Sequence, residues 1–397
     1  MLPHMNYISK LIILFSLLPC LVQGQEYNYL EMNVPEFELP DLFTDLKGNE
    51  IKTVKDWESI RRPEIMKLLG DQVYGHVRDY DEISFYLEDK EKNPLPEKAT
   101  FKQIAITVRQ DSRQYTFHLD LFIPNTDTGP YPVFLMITHR NKGRIENEYD
   151  LGSWPVETVI DAGYAMAAFH VSEVTPDNRS LYQEGILKQL YPDELEKSNG
   201  MRALSSWAWG AMRVMDYFEQ DEDIDANRSA VVGHSRAGKA ALWTGANDPR
   251  WAITISNQSG AGGAALSKRK FGETVKKLNS SFPHWFTDNF NAYSDKEENL
   301  PLDQHFLIGA IAPRAVYVGS AKLDQWSDPK GEFLGLKLGT EVHSKIYKQD
   351  IALSEDFISV TTPEIHKHAG YHLRMGKHSF TTYDWERFIE FADKQFK

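Results

Sequence analysis

The sequence holds one cysteine, Cys20, in 397 residues. It lies in an N-terminal apolar stretch, so a chain cut after it would have no thiol, which excludes disulfides and cysteine-ligated metal from the remainder. Positive charge is also in short supply. Lys and Arg number 44 against 57 Asp and Glu, a net charge of −13, which argues against nucleic acid and anionic membrane surfaces as partners. The one strongly apolar run, Leu11 to Leu18, is too short for a stable membrane span. There is no internal repeat, no low-complexity tract and no HExxH spacing.

What is present begins with that short run. Lys10 precedes it, and Pro19-Cys20-Leu21-Val22-Gln23-Gly24 follows. This is the build of a secretory signal with a cut before Gln25. Residues 1–24 are expected to be a signal peptide and 25–397 a single catalytic domain, secreted or periplasmic, monomeric and free of the membrane after cleavage. Pro19 stands where a lipoprotein signal has a small residue, which argues against lipidation of Cys20.

Residues 25 to about 50 are acidic and carry prolines, as expected of an extended lead-in, and Trp57 to Leu69 has the pattern of an amphipathic helix. Residues 81–123 alternate apolar and polar, as in Tyr115 to Ile123, and predict antiparallel strands. The pattern then changes to continuous apolar runs at Val133–Ile137, Tyr164–Phe169, Ala230–Val232, Ala252–Ile255 and Ala315–Val318. Such runs suit strands buried on both faces of a parallel sheet. Helix-like segments lie between and after them, including Met201–Tyr217 and Tyr383–Ala392. The order predicts an α/β three-layer sandwich with a mostly parallel central sheet and an antiparallel N-terminal edge. Long loops at 139–154, 171–200 and 257–304 would crowd the carboxyl edge of that sheet, where such folds bind ligands.

One stretch carries chemistry. Ala230-Val231-Val232 leads into a tight Gly233-His234-Ser235 corner and then an Ala-rich helix-forming segment. Strand, sharp turn and helix with a serine at the corner make the nucleophile elbow of α/β-hydrolases, although Ala237 replaces the second glycine of G-x-S-x-G. The same letters contain most of a Walker A motif, Gly233 to Gly238-Lys239, but Ala240 stands where a P-loop needs Ser or Thr for Mg²⁺. In this fold the acid and the base follow the serine. Asp324 comes just after the run Ala315–Val318 and is preferred as the acid to Asp328, whose Asp-Pro pair suits a cap or turn. Histidines cluster at 366, 368, 372 and 378; His378 lies on the loop before the last helix and is the expected base. Four close histidines also raise zinc as an alternative, but no cysteine or HExxH supports it, so no metal or cofactor is expected. The loop after the first buried strand, Thr138 to Lys142, has no glycine run for an oxyanion hole. Arg236, next to Ser235, is the expected oxyanion donor.

Taken together, Gly233-x-Ser235-Arg236-x-Gly238-Lys239, Ser259–Gly263, Phe271-Gly272-Glu273, Ile311–Arg314, Asp324-x-Trp326 through Phe333, and Gly376-x-His378 resemble the glucuronoyl esterases of carbohydrate esterase family 15 across roughly residues 55–395. The resemblance implies a metal-free serine esterase acting on esters between 4-O-methyl-glucuronic acid of glucuronoxylan and lignin alcohols. It implies Ser235 as nucleophile, His378 as base and Arg236 as oxyanion donor, with Lys239, Glu273 and Trp326 around the sugar. Gln258 is counted with these substrate-facing residues. Fungal-type members have cysteines where His234 and Ser379 stand, and a catalytic Glu where Gln258 stands. The departure at Gln258 places the acid at Asp324, as in bacterial-type members. Trp285 is expected either as a sugar platform or in the core. Another polysaccharide esterase of acetylxylan type, and a non-catalytic uronic-sugar-binding member, are the remaining readings.

Overall fold

The computed structural model describes residues 27–88, 93–126, 128–139, 154–360 and 362–397. The expected signal segment, Cys20 and most of the 139–154 loop lie outside the described residues. Among those described, ten strands form one sheet: β1 (Glu82–Glu88), β2 (Ala99–Gln110), β3 (Arg113–Pro124), β4 (Tyr131–Thr138), β5 (Ala165–His170), β6 (Ile224–His234), β7 (Ile253–Asn257), β8 (Ala315–Ala321), β9 (Glu364–Ile365) and β10 (Ala369–Arg374). Their order is β1-β2-β3-β5-β4-β6-β7-β8-β10-β9. The stretch from β5 to β10 is parallel, while β1, β2 and β3 pair antiparallel at one edge and β9 pairs antiparallel at the other. The helices used below are α1 (Arg62–Leu69), α2 (Val156–Asp161), α3 (Ala203–Phe218), α4 (Arg236–Asn247), α5 (Val275–Ser281), α6 (Gln304–Gly309), α7 (Pro329–Gly339) and α8 (Thr382–Phe396).

The period of two in a strand sorts side chains to opposite faces. On β4, Val133, Leu135 and Ile137 join one core while Phe134 and Met136 join the other. On β8, Val316 and Val318 face the first and Ala315 and Tyr317 the second. The first core is completed by α1, α3, α4, α6 and α7, and the second by α2 and α8. Trp385, Phe388, Phe391 and Ala392 recur at helical spacing on α8 and are fully buried against the sheet. Thr381 and Asp384 form a capping box that starts this helix.

The expected strands are all found, with two differences. β6 begins at Ile224, well before the apolar run, because its first half slips out of register with β4 and carries polar residues at a partly exposed position. β9, Glu364–Ile365, is too short to show an apolar run or an alternation, although Ile365 is buried in the second core. The 257–304 segment, expected as loop, contains α5.

Four neighbouring parallel strands, β6, β7, β8 and β10, end at the same edge. Ser235 follows β6, Gln258 follows β7, Asp324 lies three residues past β8, and His378 four residues past β10. Strands about 4.8 Å apart thus deliver each residue to one short row.

Below this row α7 docks on the sheet through a buried carboxyl. Glu332 is fully buried, with Oε2 2.6 Å from Ser320 Oγ on β8 and Oε1 accepting the Gly260 amide at 3.0 Å. Burial pushes its carboxyl up to about 8, and the charges of Asp324 and Asp328 add to the effect against those two hydrogen bonds. A carboxyl raised in the folded state contributes stability that is present below the unfolded value near 4.5 and is lost as pH rises through about 8. Glu332→Gln removes that loss. Melting temperatures measured from pH 5 to 8 should shift in favour of the variant as pH rises, and a difference that stays constant over this window would show that Glu332 is ionised in the fold.

Candidate active site

Ser235 sits at φ 58°, ψ −126°, a conformation rarely adopted by a residue with a side chain. The corner closes because Gly233 has no Cβ: one placed there would lie 2.0 Å from the Ala237 carbonyl oxygen. Ala237 is fully buried, so a methyl group is accommodated where the motif has glycine. The Ser235 amide donates to the Asn257 carbonyl at 2.8 Å, which fixes the corner to the end of β7. The amide of Arg236, first residue of α4, is one of the helix-start donors that have no acceptor within the helix.

Asp324 Oδ2 lies 2.7 Å from His378 Nδ1. Asp324 is buried, whereas the His378 side chain is 35% exposed. Ser327 Oγ is a more distant neighbour of the same nitrogen at 3.4 Å. His234 lies between the corner and the base, its ring centroid 4.7 Å from that of His378. Ser235 Oγ makes no hydrogen bond among the described residues; nucleophile–base bonds commonly close only around bound substrate. Asp328 is occupied elsewhere: it caps α7 through the Gly331 amide at 2.9 Å and pairs with Arg269 at 2.8 Å. His372 is buried in β10 between Asp384, 2.9 Å from Nε2, and the Tyr317 hydroxyl, 3.0 Å from Nδ1. Among the described residues no group of three or more His, Cys, Asp or Glu is placed to hold a metal ion.

Arg236 extends over the indole of Trp285, 4.7 Å from the ring centroid, and over Phe282 at 5.3 Å. Its guanidinium pairs with Asp177, a residue to which no sequence signal pointed. Asp177 Oδ1 also faces Trp285 Nε1 at 2.8 Å and His284 Nε2 at 3.0 Å. Burial opposes ionisation of Asp177, but the bond to His284 and the Arg236 charge outweigh it and hold the carboxyl well below the usual range. Trp285 is 2% exposed and stacked on Phe282, so of the two roles expected for it the structure shows packing, beneath Arg236.

Lys239 was expected to donate to sugar hydroxyls. The structure instead commits its ammonium, 2% exposed, to the carbonyls of Ser259 and Ala261 and to Glu273 Oε2 at 2.9 Å. An ammonium has three donors, and three acceptors are in place. Lys239 therefore aims Glu273, whose Oε1 makes no hydrogen bond among the described residues. Trp326 is half-buried, its ring edge against Tyr27 at 5.0 Å. Glu273 and Trp326 are brought together at Gly272, where a Cβ would lie 2.4 Å from the carbonyl oxygens of Gln325 and Trp326, and the Glu273 amide donates to Trp326 O at 2.9 Å. Gln258, also expected at the substrate, is 1% exposed and directs its amide at the backbone of Ser379.

Comparison with known proteins identifies the family. The family described as "Glucuronyl esterase, fungi" matches residues 106–347. "Carbohydrate esterase MZ0003", from an unknown prokaryotic organism, is 35% identical over 94% of this chain and 92% of its own length. The solved structure described as a glucuronoyl esterase from Solibacter usitatus superposes with a TM-score of 0.84 at 34% identity, covering 92% of this chain and all of that one. A second, a promiscuous CE15 esterase from the marine bacterial metagenome, gives 0.83 at 36% identity over 93% of this chain and all of its own. The 4-O-methyl-glucuronoyl methylesterase of Podospora anserina is 29% identical over 71% of this chain, which spans 54% of that protein's length. With the serine elbow, the carboxylate–histidine pair and these relatives in agreement, the chain belongs to the glucuronoyl esterases, carbohydrate esterase family 15.

Proposed function

We propose that the chain is a secreted serine esterase that cleaves the ester between 4-O-methyl-glucuronic acid of glucuronoxylan and a lignin alcohol, and that it works through an acyl-enzyme on Ser235. The observation that carries this reading is the Asp324–His378 pair at 2.7 Å, beside a serine held on a strained corner. Ser235 Oγ attacks the uronic carbonyl and gives its proton to His378 Nε2. Asp324 holds Nδ1–H and balances the imidazolium. The Arg236 amide and guanidinium take the oxyanion. The tetrahedral centre then expels the alcohol, which receives the proton from His378. Water, activated by the same histidine, releases the uronic acid and restores Ser235. Glu273 Oε1 and the face of Trp326 meet the sugar, while Lys239 acts on it only through Glu273. Residues 1–24 serve as the export signal, and the mature domain acts as a monomer without cofactor.

Relatives named as 4-O-methyl-glucuronoyl methylesterases support the uronic acid side of the ester. The marine relative's description as promiscuous makes deacetylation the reading to test against it. Turnover of benzyl glucuronate, methyl galacturonate and acetylated xylan by the purified protein should rank the glucuronate ester first. Faster deacetylation of xylan would discard the substrate assignment. No turnover together with no labelling of Ser235 by a fluorophosphonate would leave a non-catalytic sugar-binding protein.

Asp324→Asn should lower kcat by about 10⁴-fold, the loss expected when the acid no longer selects the histidine tautomer; steady-state kinetics on benzyl glucuronate measure it, and near-normal turnover would move the acid elsewhere. Arg236→Ala should lower kcat by about 10²- to 10³-fold with little change in KM. Arg236→Lys should recover only part, because an ammonium lacks the guanidinium fork that Asp177 holds. A raised KM with unchanged kcat would make Arg236 a ground-state sugar contact.

A further inference from the structure

We infer that Gln258 is a positioning residue for His378: its amide clamps the peptide that follows the base and fixes where the imidazole stands. The inference rests on His378 being the base, and it assigns Gln258 a role other than substrate contact.

The geometry is a two-point match. Gln258 Nε2 donates to the Ser379 carbonyl at 2.9 Å, and Oε1 accepts from the Ser379 amide at 3.0 Å. One side-chain amide thus pairs with both polar groups of one residue, as a neighbouring strand would. Gln258 itself is rigidly held. It sits at φ 48°, its amide donates to Gly319 O at 2.7 Å, and its side chain is buried. The clamp therefore ties the His378 loop to the ends of β7 and β8, the same edge that presents Ser235 and Asp324.

A second grip comes from below. Arg374, at the end of β10, donates to Ser379 O at 2.6 Å, to Lys377 O at 3.3 Å and to Met375 O at 3.2 Å. Its Nε is fixed by the fully buried Asp384 at 2.9 Å. The residues on both sides of His378 are held, while the imidazole, 35% exposed, is met by Asp324, Ser327 Oγ and the ring of His234. The loop that carries it contributes to its position. His234 adds a stacked contact with Phe380, 5.3 Å between centroids at 8°.

The match also accounts for an amide at position 258. An ionised glutamate could accept from the Ser379 N–H but has no donor for the Ser379 carbonyl. It would set a negative oxygen against that carbonyl and bring a second carboxylate to the side of His378.

The test uses Gln258→Ala, which removes both bonds, and Gln258→Glu, which keeps the volume and one bond. Active enzyme is counted by fluorophosphonate titration, and kcat, KM and the pH dependence of kcat/KM are measured with benzyl glucuronate. For Gln258→Ala the expected result is a loss in kcat on the order of 10²-fold per titrated serine, the size of effect that follows a small misplacement of a catalytic group, with KM within about twofold. For Gln258→Glu the expected result is a smaller loss and an acid limb of kcat/KM displaced to higher pH by the added carboxylate. A raised KM at unchanged kcat would make Gln258 a substrate contact and overturn the inference. Normal kcat per titrated serine with a lowered melting temperature would make it merely structural, which also overturns it. Wild-type turnover and its loss in His378→Ala test the base separately: if His378→Ala keeps full activity, the esterase mechanism fails first, whereas if it loses activity and the Gln258 variants keep theirs, only the clamp fails.

Discussion

In the proposed mechanism the hydrogen bond between Asp324 Oδ2 and His378 Nδ1 decides which imidazole nitrogen is left for Ser235. A neutral imidazole has one donor and one acceptor. When Nδ1–H is given to Asp324, Nε2 becomes the acceptor, and only then can it take a proton from a serine. Much of the surrounding structure keeps this bond in place. β8 delivers Asp324 into a buried position, and Asp328, four residues on, is drawn off by Arg269 and by the start of α7. Burial raises the neighbouring carboxyl of Glu332 toward its protonated form, with the charges of Asp324 and Asp328 adding to the effect.

The catalytic row and the groups that surround it differ in how they show in the sequence. Ser235 was legible because its corner demands a local pattern, an apolar strand, Gly233 and a helix former. The meeting of Asp324 with His378 was legible because the first closely follows an apolar strand run and the second lies on the loop before the last helix. The sheet was legible for the same reason: a strand buried on both faces cannot alternate. β9 and the first half of β6 were not, because each buries a single isoleucine, Ile365 or Ile224, and one apolar residue makes neither a run nor a period. Asp177 was hidden because its partners Arg236, His284 and Trp285 are brought to it only by tertiary packing. Lys239 was legible as a site residue but not in its role. That three acceptors surround its ammonium depends on how the Ser259–Gly263 turn folds back.

Two cations at the site are handled in the same way. Arg236 is braced by Asp177 and lies over two aromatic rings, and Lys239 is braced by Glu273 and two carbonyls. A braced cation keeps its geometry, since moving it would leave a buried carboxylate unpaired. Arg236 retains 28% of its side chain in solvent, whereas Lys239 is sealed. The difference separates a cation that solvent and ligands can reach from one that serves only to hold Glu273.

The pairing of Lys239 with Glu273 has a consequence for the end of the catalytic cycle. An ester enters the pocket uncharged, and the acid leaves it as an anion. Lys239 is already balanced by Glu273, and Arg236 by Asp177. Like charges in a partly dry cleft repel more strongly than in water. A carboxylate formed there must therefore compete with Asp177 and Glu273 for two cations that are already paired.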